Sequence, residues 1–363
     1  MNNSNLGLIL GTLNISYPFS SLNANTEVNK LDEYTKIIDL YIENIKTNTN
    51  TNTDCKPILD TAYYYGNTHC EQILGIILDK DGINNNNNNK DCLISTKANP
   101  WFENNFTNGI LGGLSAFNLE RQLNESLQNL KKDKVDIFYL HCPDHQTPIF
   151  ETLEKATELW RKDKYDKLGV SNFSLGELIE VLDVCESNGF IAPDYYQGMY
   201  NILCKKVEEI FPLLDDFNIE FWAYNPLAGG LLSGKYHNCI YNKNINNKNI
   251  NNKSYNNDIT LISRFKDNQI YKNIFWKDEL LNAAEKLFNS CEKASPVKKS
   301  FDWLQYYSKL RANDKIIIGA STSKQLIENM ECLQSESILT LDTCNYMDSI
   351  YAEYKDMSPD YFY

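Results

Sequence analysis

The sequence contains no apolar run long enough to cross a bilayer, which argues against a membrane-spanning helix. Its first residues, MNNSNLGLILGTLNIS, carry no basic n-region and too short an apolar stretch for a secretory signal. Basic residues are in the minority: 35 Lys and Arg face 48 Asp and Glu, for a formal charge of −13 and a pI near 4.9. An acidic surface repels phosphate backbones and anionic lipid, so neither nucleic acid nor membrane is an expected partner. The ten cysteines include no CxxC pair, and their spacings match no zinc module. Reduced thiols in a cytoplasmic protein without a metal centre are the expectation. Histidine is scarce, with four in all, and only His141 and His145 are close enough to pair. Pro143 between them argues against the helix that would align both rings on a metal.

What is present is a soluble, aromatic-rich chain of 363 residues, 42% apolar and 12% aromatic, with 23 tyrosines. Three asparagine-dominated tracts, at 47–54, 84–89 and 242–258, cannot bury enough apolar surface to offset their ordering entropy. They read as insertions in surface loops. Between them, short β-branched segments alternate with helical patterns. The strand candidates are 6–12, 57–62, 92–98, 135–141, 167–172, 194–200, 219–226 and 315–321. Helices are expected over 33–45, 118–132, 148–162 and 175–187, the last carrying Leu175, Leu178, Ile179 and Leu182 at helical spacing. Strand and helix alternating eight times predict an α/β protein, a (β/α)8 TIM barrel formed by residues 1–363 as a single domain. An open doubly wound sheet would show a glycine-rich phosphate turn after its first strand, and LILGTLNIS does not fit GxGxxG.

In such a barrel the active site lies at the C-terminal ends of the strands. Those ends carry Asp60 after the second strand, Lys97 after the third and His141 after the fourth. Ser171 and Asn172 follow the fifth, Gln197 the sixth, Tyr224 and Asn225 the seventh, and Gly319 to Ser321 the eighth. One polar residue there is ordinary, because Asp, Asn and Ser favour strand exits and caps. Asp, Lys and His on consecutive strands form a constellation, since Lys and Asp are rarely buried unless paired. Three tyrosines, Tyr63, Tyr64 and Tyr65, come soon after Asp60. A phenol with a pKa of about 10 is a poor acid near neutrality unless a cation stabilises its phenolate. Lys97 offers that cation, Asp60 would keep it charged, and His141 offers a second hydrogen bond to a substrate oxygen. Such a set protonates a carbonyl oxygen and needs a separate hydride source. Two other uses stay open: Lys97 as a Schiff-base nucleophile, and an Asp60–Lys97 ion pair that only braces the barrel.

Longer strings resemble a known family. LDTAYYYGN (59–67), STKANPW (95–101), VDIFYLHCPDH (135–145), LGVSNFS (168–174) and YYQGMYN (195–201) resemble the aldo-keto reductases. So do AYNPLAGGLLSGKY (223–236), NIFWK (273–277) and GASTSKQLIEN (319–329), and the likeness is to the aflatoxin-aldehyde-reductase branch. It covers nearly the whole chain outside the asparagine tracts, and the family fold is the barrel read above. The resemblance implies a tetrad of Asp60, Tyr65, Lys97 and His141, and it singles out Tyr65 as the general acid. It also implies NADPH or NADP bound without a Rossmann fingerprint, and a small-molecule aldehyde or ketone reduced to the alcohol. Ser171, Asn172 and Gln197 would hold the nicotinamide carboxamide, with Asp60 nearby and Tyr224 stacked on the ring. The loop Asn225, Pro226, Leu227, Ala228, Gly229, Gly230, Leu231, Leu232, Ser233, Gly234 and Lys235 would wrap the pyrophosphate, its glycines permitting close backbone approach. Arg264, Gly319, Ser321, Gln325, Glu328 and Asn329 would take the adenosine 2′-phosphate and adenine, an arginine fork suiting the phosphate. Trp101, Tyr271 and Lys272 would join His141 in walling the substrate pocket.

The chain also departs from the family. The branch ends in an arginine associated with acidic substrates, whereas this chain ends SPDYFY, with Tyr363 in that place. Lys272 stands where relatives carry an arginine. Without those planar forks, a preference for succinic-semialdehyde-like acids is a weaker expectation. Thr68, His69, Cys70 and Glu71 replace a Gly-x-Ser-Glu pattern, and His69 reads as a loop residue. Some members of the superfamily are regulatory subunits of ion channels, so a cofactor-binding module with little turnover is the alternative to an enzyme. Relatives in this branch form dimers, which leaves a homodimer open.

Overall fold

The computed structural model describes residues 6–15, 24–48, 56–79, 91–101, 112–236, 269–290 and 293–362. Eight parallel strands close into a barrel in chain order. They are β1 (Gly7–Gly11), β2 (Ile58–Asp60), β3 (Leu93–Ala98), β4 (Val135–Leu140), β5 (Tyr165–Ser171), β6 (Tyr195–Met199), β7 (Glu220–Tyr224) and β8 (Lys315–Gly319). Helices α1 (Ala24–Asn48), α2 (Cys70–Asp79), α3 (Ala116–Leu130), α4 (Ile149–Arg161), α5 (Leu175–Asn188) and α6 (Phe211–Asp216) follow the first six strands in turn. Gln269–Phe275, Asp278–Asn289 and Pro296–Asp302 are helical before β8, and Ser323–Gln334 and Leu341–Tyr354 after it. The expected (β/α)8 barrel is the observed fold.

Strands of a closed parallel barrel are buried on both faces, so they read as branched apolar runs instead of alternating. One face meets the helices in a core that includes Leu10, Leu59, Ile94, Phe138, Val170, Phe221 and Ile318. The other face fills the barrel, where Ile9, Ile58, Ile137, Tyr139, Trp222 and Ile317 form a separate cluster. Side chains repeat on one face every two residues. Two residues beyond that apolar floor, the same face continues as Gly11 on β1, Asp60 on β2, His141 past β4, Tyr224 on β7 and Gly319 on β8. The floor and the polar mouth are therefore one continuous face of the same strands.

Two expectations need adjustment. On α5 the buried residues are Leu178, Val181, Leu182 and Cys185, whereas Ile179 is 42% exposed. A stripe about 100° wide takes the residues at i, i+3, i+4 and i+7, and Ile179 falls beside it. The first helix is also longer than the apolar pattern shows, running through Thr47 and Asn48, the first two residues of one asparagine tract. The rest of that tract and the tracts at 84–89 and 242–258 lie outside the described residues.

Gly169 on β5 faces the ring of Tyr139 across the β4–β5 ladder, and a Cβ there would stand 2.3 Å from the ring carbon Cε1. The strand thus gives up a side chain to seat a fully buried aromatic in the barrel floor. Gly169→Ala is expected to destabilise by about 1–3 kcal/mol, the usual range for overpacking a filled core. A urea unfolding midpoint equal to that of the parent protein would contradict this packing.

Candidate active site

Lys97 and Asp60 meet at the mouth of the barrel. Lys97 Nζ donates to Asp60 Oδ2 at 2.7 Å and to the Thr61 carbonyl at 2.7 Å. The two side chains are 0% and 2% exposed, so neither charge has water to solvate it. Burial pushes the Lys97 pKa down and the Asp60 carboxylate opposes that shift. Asp60 Oδ1 accepts from Ser95 Oγ at 2.6 Å and from Gln197 Nε2 at 3.0 Å. Removing Asp60 alone would leave a buried ammonium without a counter-ion, which costs about 3–5 kcal/mol in comparable sites.

Pairing with β3 continues past the end of β2, with Thr61 N donating to Ser95 O and Tyr63 N to Lys97 O. The chain then turns through Gly66, Asn67 and Thr68, all at positive φ, into α2. This turn separates the three tyrosines. Tyr63 leaves the mouth: its hydroxyl donates to Glu125 Oε2 at 2.5 Å and accepts from Arg121 at 3.3 Å, both on α3. Tyr64 packs against Trp101, with ring centroids 6.2 Å apart. Tyr65 is half-buried, and Lys97 Nζ lies 5.0 Å from the centroid of its ring. His141 meets Tyr65 and Trp101 edge-on, each at 5.8 Å between ring centroids. Its Nδ1 is enclosed and has no hydrogen-bond partner among the described residues. Burial, with Lys97 second, pushes the His141 pKa down to about 3. The imidazole is neutral at pH 7.

The ends of β5 to β7 form a second group. Asn172, at φ 62°, donates from Nδ2 to the His141 carbonyl at 3.0 Å and to Ser171 Oγ at 3.0 Å. Its Oδ1 accepts from the Tyr224 hydroxyl at 2.7 Å, which fixes that half-buried ring beside the mouth. Asn225, at φ 55°, has its carbonyl held by Asn201 Nδ2 at 2.9 Å and its Oδ1 by the Tyr271 hydroxyl at 3.2 Å. Tyr271 therefore sits against the loop that leaves β7, while Trp101 stands beside His141. Lys272, on the same helix as Tyr271, is half-buried and forms no ion pair among the described residues. After Pro226 and Leu227 the loop has left-handed backbone at Ala228, Gly229 and Gly230, passes Leu231, Leu232 and Ser233, and turns again at Gly234 before Lys235. Beyond β8, Gly319, Ser321, Gln325 and Glu328 are exposed, Asn329 is buried with its Nδ2 on the Gly319 carbonyl, and Gln325 Oε1 accepts from Ser321 N. Arg264 and Tyr363 lie outside the described residues.

Several residues that shape the mouth carry little signal in the sequence. Ser95 lies two residues before Lys97, so strand alternation alone could have placed it on the same face. Gln122 on α3 pins the exit of β3 by donating to the Asn99 and Gly113 carbonyls and accepting from Asn99 N, a role that no local pattern announces. Glu71, in the first turn of α2, is fully buried behind β3, with Oε1 accepting from Thr96 Oγ1 at 2.5 Å. Burial pushes its pKa up to about 7, against the opposing pull of the Thr96 hydroxyl.

The structure thus sets a buried lysine–carboxylate pair, a tyrosine and a neutral histidine at the strand ends of a closed parallel barrel. The model of the Aldo/keto reductase family matches residues 29–352, and the chain belongs to that family of carbonyl oxidoreductases. Aflatoxin B1 aldehyde reductase member 4 of Homo sapiens is 36% identical over 286 residues, covering 75% of this chain and 78% of that protein. Aflatoxin B1 aldehyde reductase member 2 of Rattus norvegicus is 36% identical over 284 residues, covering 75% and 70%. Aldo-keto reductase pigE of Monascus ruber is 26% identical over 283 residues, covering 76% and 77%. The two aflatoxin B1 aldehyde reductases bear out the resemblance to that branch.

Two pH dependences follow from the buried groups. The His141 ring should show no NMR titration between about pH 5 and pH 8, and a midpoint near the ordinary histidine value would refute its neutral assignment. Glu71 binds its proton more tightly folded, at about 7, than its ordinary value of 4.5. Its contribution to stability is therefore present below the lower value and lost as pH rises through the upper one. Glu71→Gln should raise the melting temperature at about pH 8 more than at about pH 4, and an equal change at both would show that Glu71 is not protonated on folding.

Proposed function

We propose that the protein reduces an aldehyde or ketone to the corresponding alcohol with NADPH, Tyr65 being the general acid. The observation that carries this reading is Lys97: a fully buried ammonium, held by Asp60 and placed 5.0 Å from the centroid of the Tyr65 ring. A cation in that position stabilises the phenolate that forms as Tyr65 gives up its proton. A lysine paired this closely to a carboxylate is charged and is a poor Schiff-base nucleophile, which requires the free amine. Neutral His141 offers a hydrogen bond to the substrate oxygen, and Trp101 and Tyr64 supply an apolar aromatic flank suited to an uncharged carbonyl compound.

The residues around β5 to β8 fit a nicotinamide dinucleotide. Tyr224 presents an aromatic ring fixed by Asn172, as a flat heterocycle needs. The loop Asn225–Lys235 has left-handed backbone at Gly229, Gly230 and Gly234, and a Cβ on Gly230 would meet nothing within 4 Å. That space leaves room for a pyrophosphate to approach the loop, whose Ala228, Gly230 and Leu232 amides donate to the Asn225 and Leu227 carbonyls, and exposed Lys235 stands at its end. Ser171, Asn172 and Gln197 would hold the carboxamide, and Ser321, Gln325, Glu328 and Asn329 the adenosine end. NADPH, when bound, supplies the hydride that no side chain can provide. Tyr65 gives its proton to the carbonyl oxygen as that oxygen gains charge, Lys97 stabilises the resulting phenolate, and solvent restores the proton.

A cofactor-binding regulatory module would need the β5–β8 residues but not the tetrad, and the complete tetrad favours the enzyme. NADPH absorbance is expected to fall when a nitrobenzaldehyde is added. Tyr65→Phe should lower kcat at least ~100-fold, the scale of general-acid catalysis, while NADPH still binds by fluorescence. Protein that binds NADPH but turns over no aldehyde in a broad panel would favour the regulatory module.

A further inference from the structure

The Asp60 carboxylate is gripped at both oxygens by one strand. Ser95 and Lys97 lie two residues apart on β3, on the same face, and both are 0% exposed. The β2–β3 register sets Asp60 directly opposite Ser95. Lys97 Nζ takes Oδ2 at 2.7 Å, and Ser95 Oγ takes Oδ1 at 2.6 Å. Turning the carboxylate about its Cβ–Cγ bond would break both contacts together. Gln197 also reaches Oδ1, from β6 and at the longer distance of 3.0 Å.

We propose that Ser95 is a positioning residue for the proton-transfer step. Its hydroxyl holds the plane of the Asp60 carboxylate so that Oδ2 faces Lys97, and Lys97 in turn is held beside Tyr65. The inference rests on the enzyme reading above, which gives Gln197 a second task at the carboxamide. Ser95 has no such second task, so it keeps Oδ1 satisfied whichever way the Gln197 amide is used. An acceptor on a buried carboxylate left to one long hydrogen bond is poorly fixed, and Lys97 loses its aim with it. Ser95 itself touches neither substrate nor cofactor and exchanges no proton in the reaction.

The test compares Ser95→Ala, Ser95→Thr and the parent protein, alone and with Gln197→Leu. Ser95→Ala should lower kcat by about tenfold, the scale for a hydrogen bond to a charged group, with little change in the KM for the aldehyde. NADPH affinity measured by fluorescence should change by no more than about twofold. The solvent deuterium isotope effect on kcat should rise, because the proton step becomes slower relative to the rest. Ser95→Thr retains the hydroxyl and should recover most of the rate. Combined with Gln197→Leu, the alanine change should cost more than it does alone, since Oδ1 then has neither donor. An unchanged kcat and isotope effect in Ser95→Ala would overturn the proposal while leaving the enzyme reading intact. So would a rate that falls only in step with melting temperature and is not recovered by threonine. Absence of NADPH turnover in the parent protein would sink the enzyme reading, and this inference with it.

Discussion

A lysine ammonium and an aspartate carboxylate buried together at 2.7 Å set the terms for the whole mouth of this barrel. Two charges taken out of water lose several kcal/mol of solvation each, and their attraction restores that only when the geometry is good and the remaining lone pairs are filled. Here Thr61 O takes a second Lys97 proton, and Ser95 and Gln197 fill Asp60 Oδ1. Well-packed apolar residues would stabilise a barrel at least as well. A pair retained at this expense points to the electrostatics it provides to its neighbours.

Those neighbours are arranged around the charge. Tyr65 lies within reach of the ammonium field, and His141 is kept neutral by the same burial and the same lysine. Below them, Tyr139 closes the barrel, with Lys97 Nζ 5.7 Å from the centroid of its ring, and Gly169 makes room for it. The apolar floor beneath the pair and the polar mouth around it together keep water from both charges. The field of Lys97 therefore acts on its neighbours in a low dielectric.

Much of this is legible in the sequence. Most of the strands can be read from branched apolar runs, because burial on both faces leaves a signal stronger than alternation, and β6 (YYQGM) and β7 (EFWAY) from their aromatic residues. Asp60, Lys97 and His141 stood at three successive strand ends, where a polar residue in an apolar run is conspicuous. Other features were hidden for identifiable reasons. Ile179 has the spacing of a core residue, but the face of α5 that packs is chosen by its neighbours and not by its own pattern. Glu71 and Gln122 look like ordinary helix-surface residues in sequence, and only the approach of α2 and α3 to β3 buries them. Tyr63, Tyr64 and Tyr65 are chemically identical in the string. Three successive left-handed residues after them, with Glu125 drawing the first aside, leave Tyr65 beside the lysine.

The sequence by itself determined the order of strands and helices, the closed barrel, and which strand ends carry acid, base and amide groups. These follow from periodicity and burial, which are properties of neighbouring residues along the chain. The tertiary structure decided the pairings: Lys97 with Asp60, Ser95 and Gln197 on one oxygen, and Tyr224 with Asn172. Each of these joins residues from different strands, and its distance depends on strand register, which local sequence does not encode.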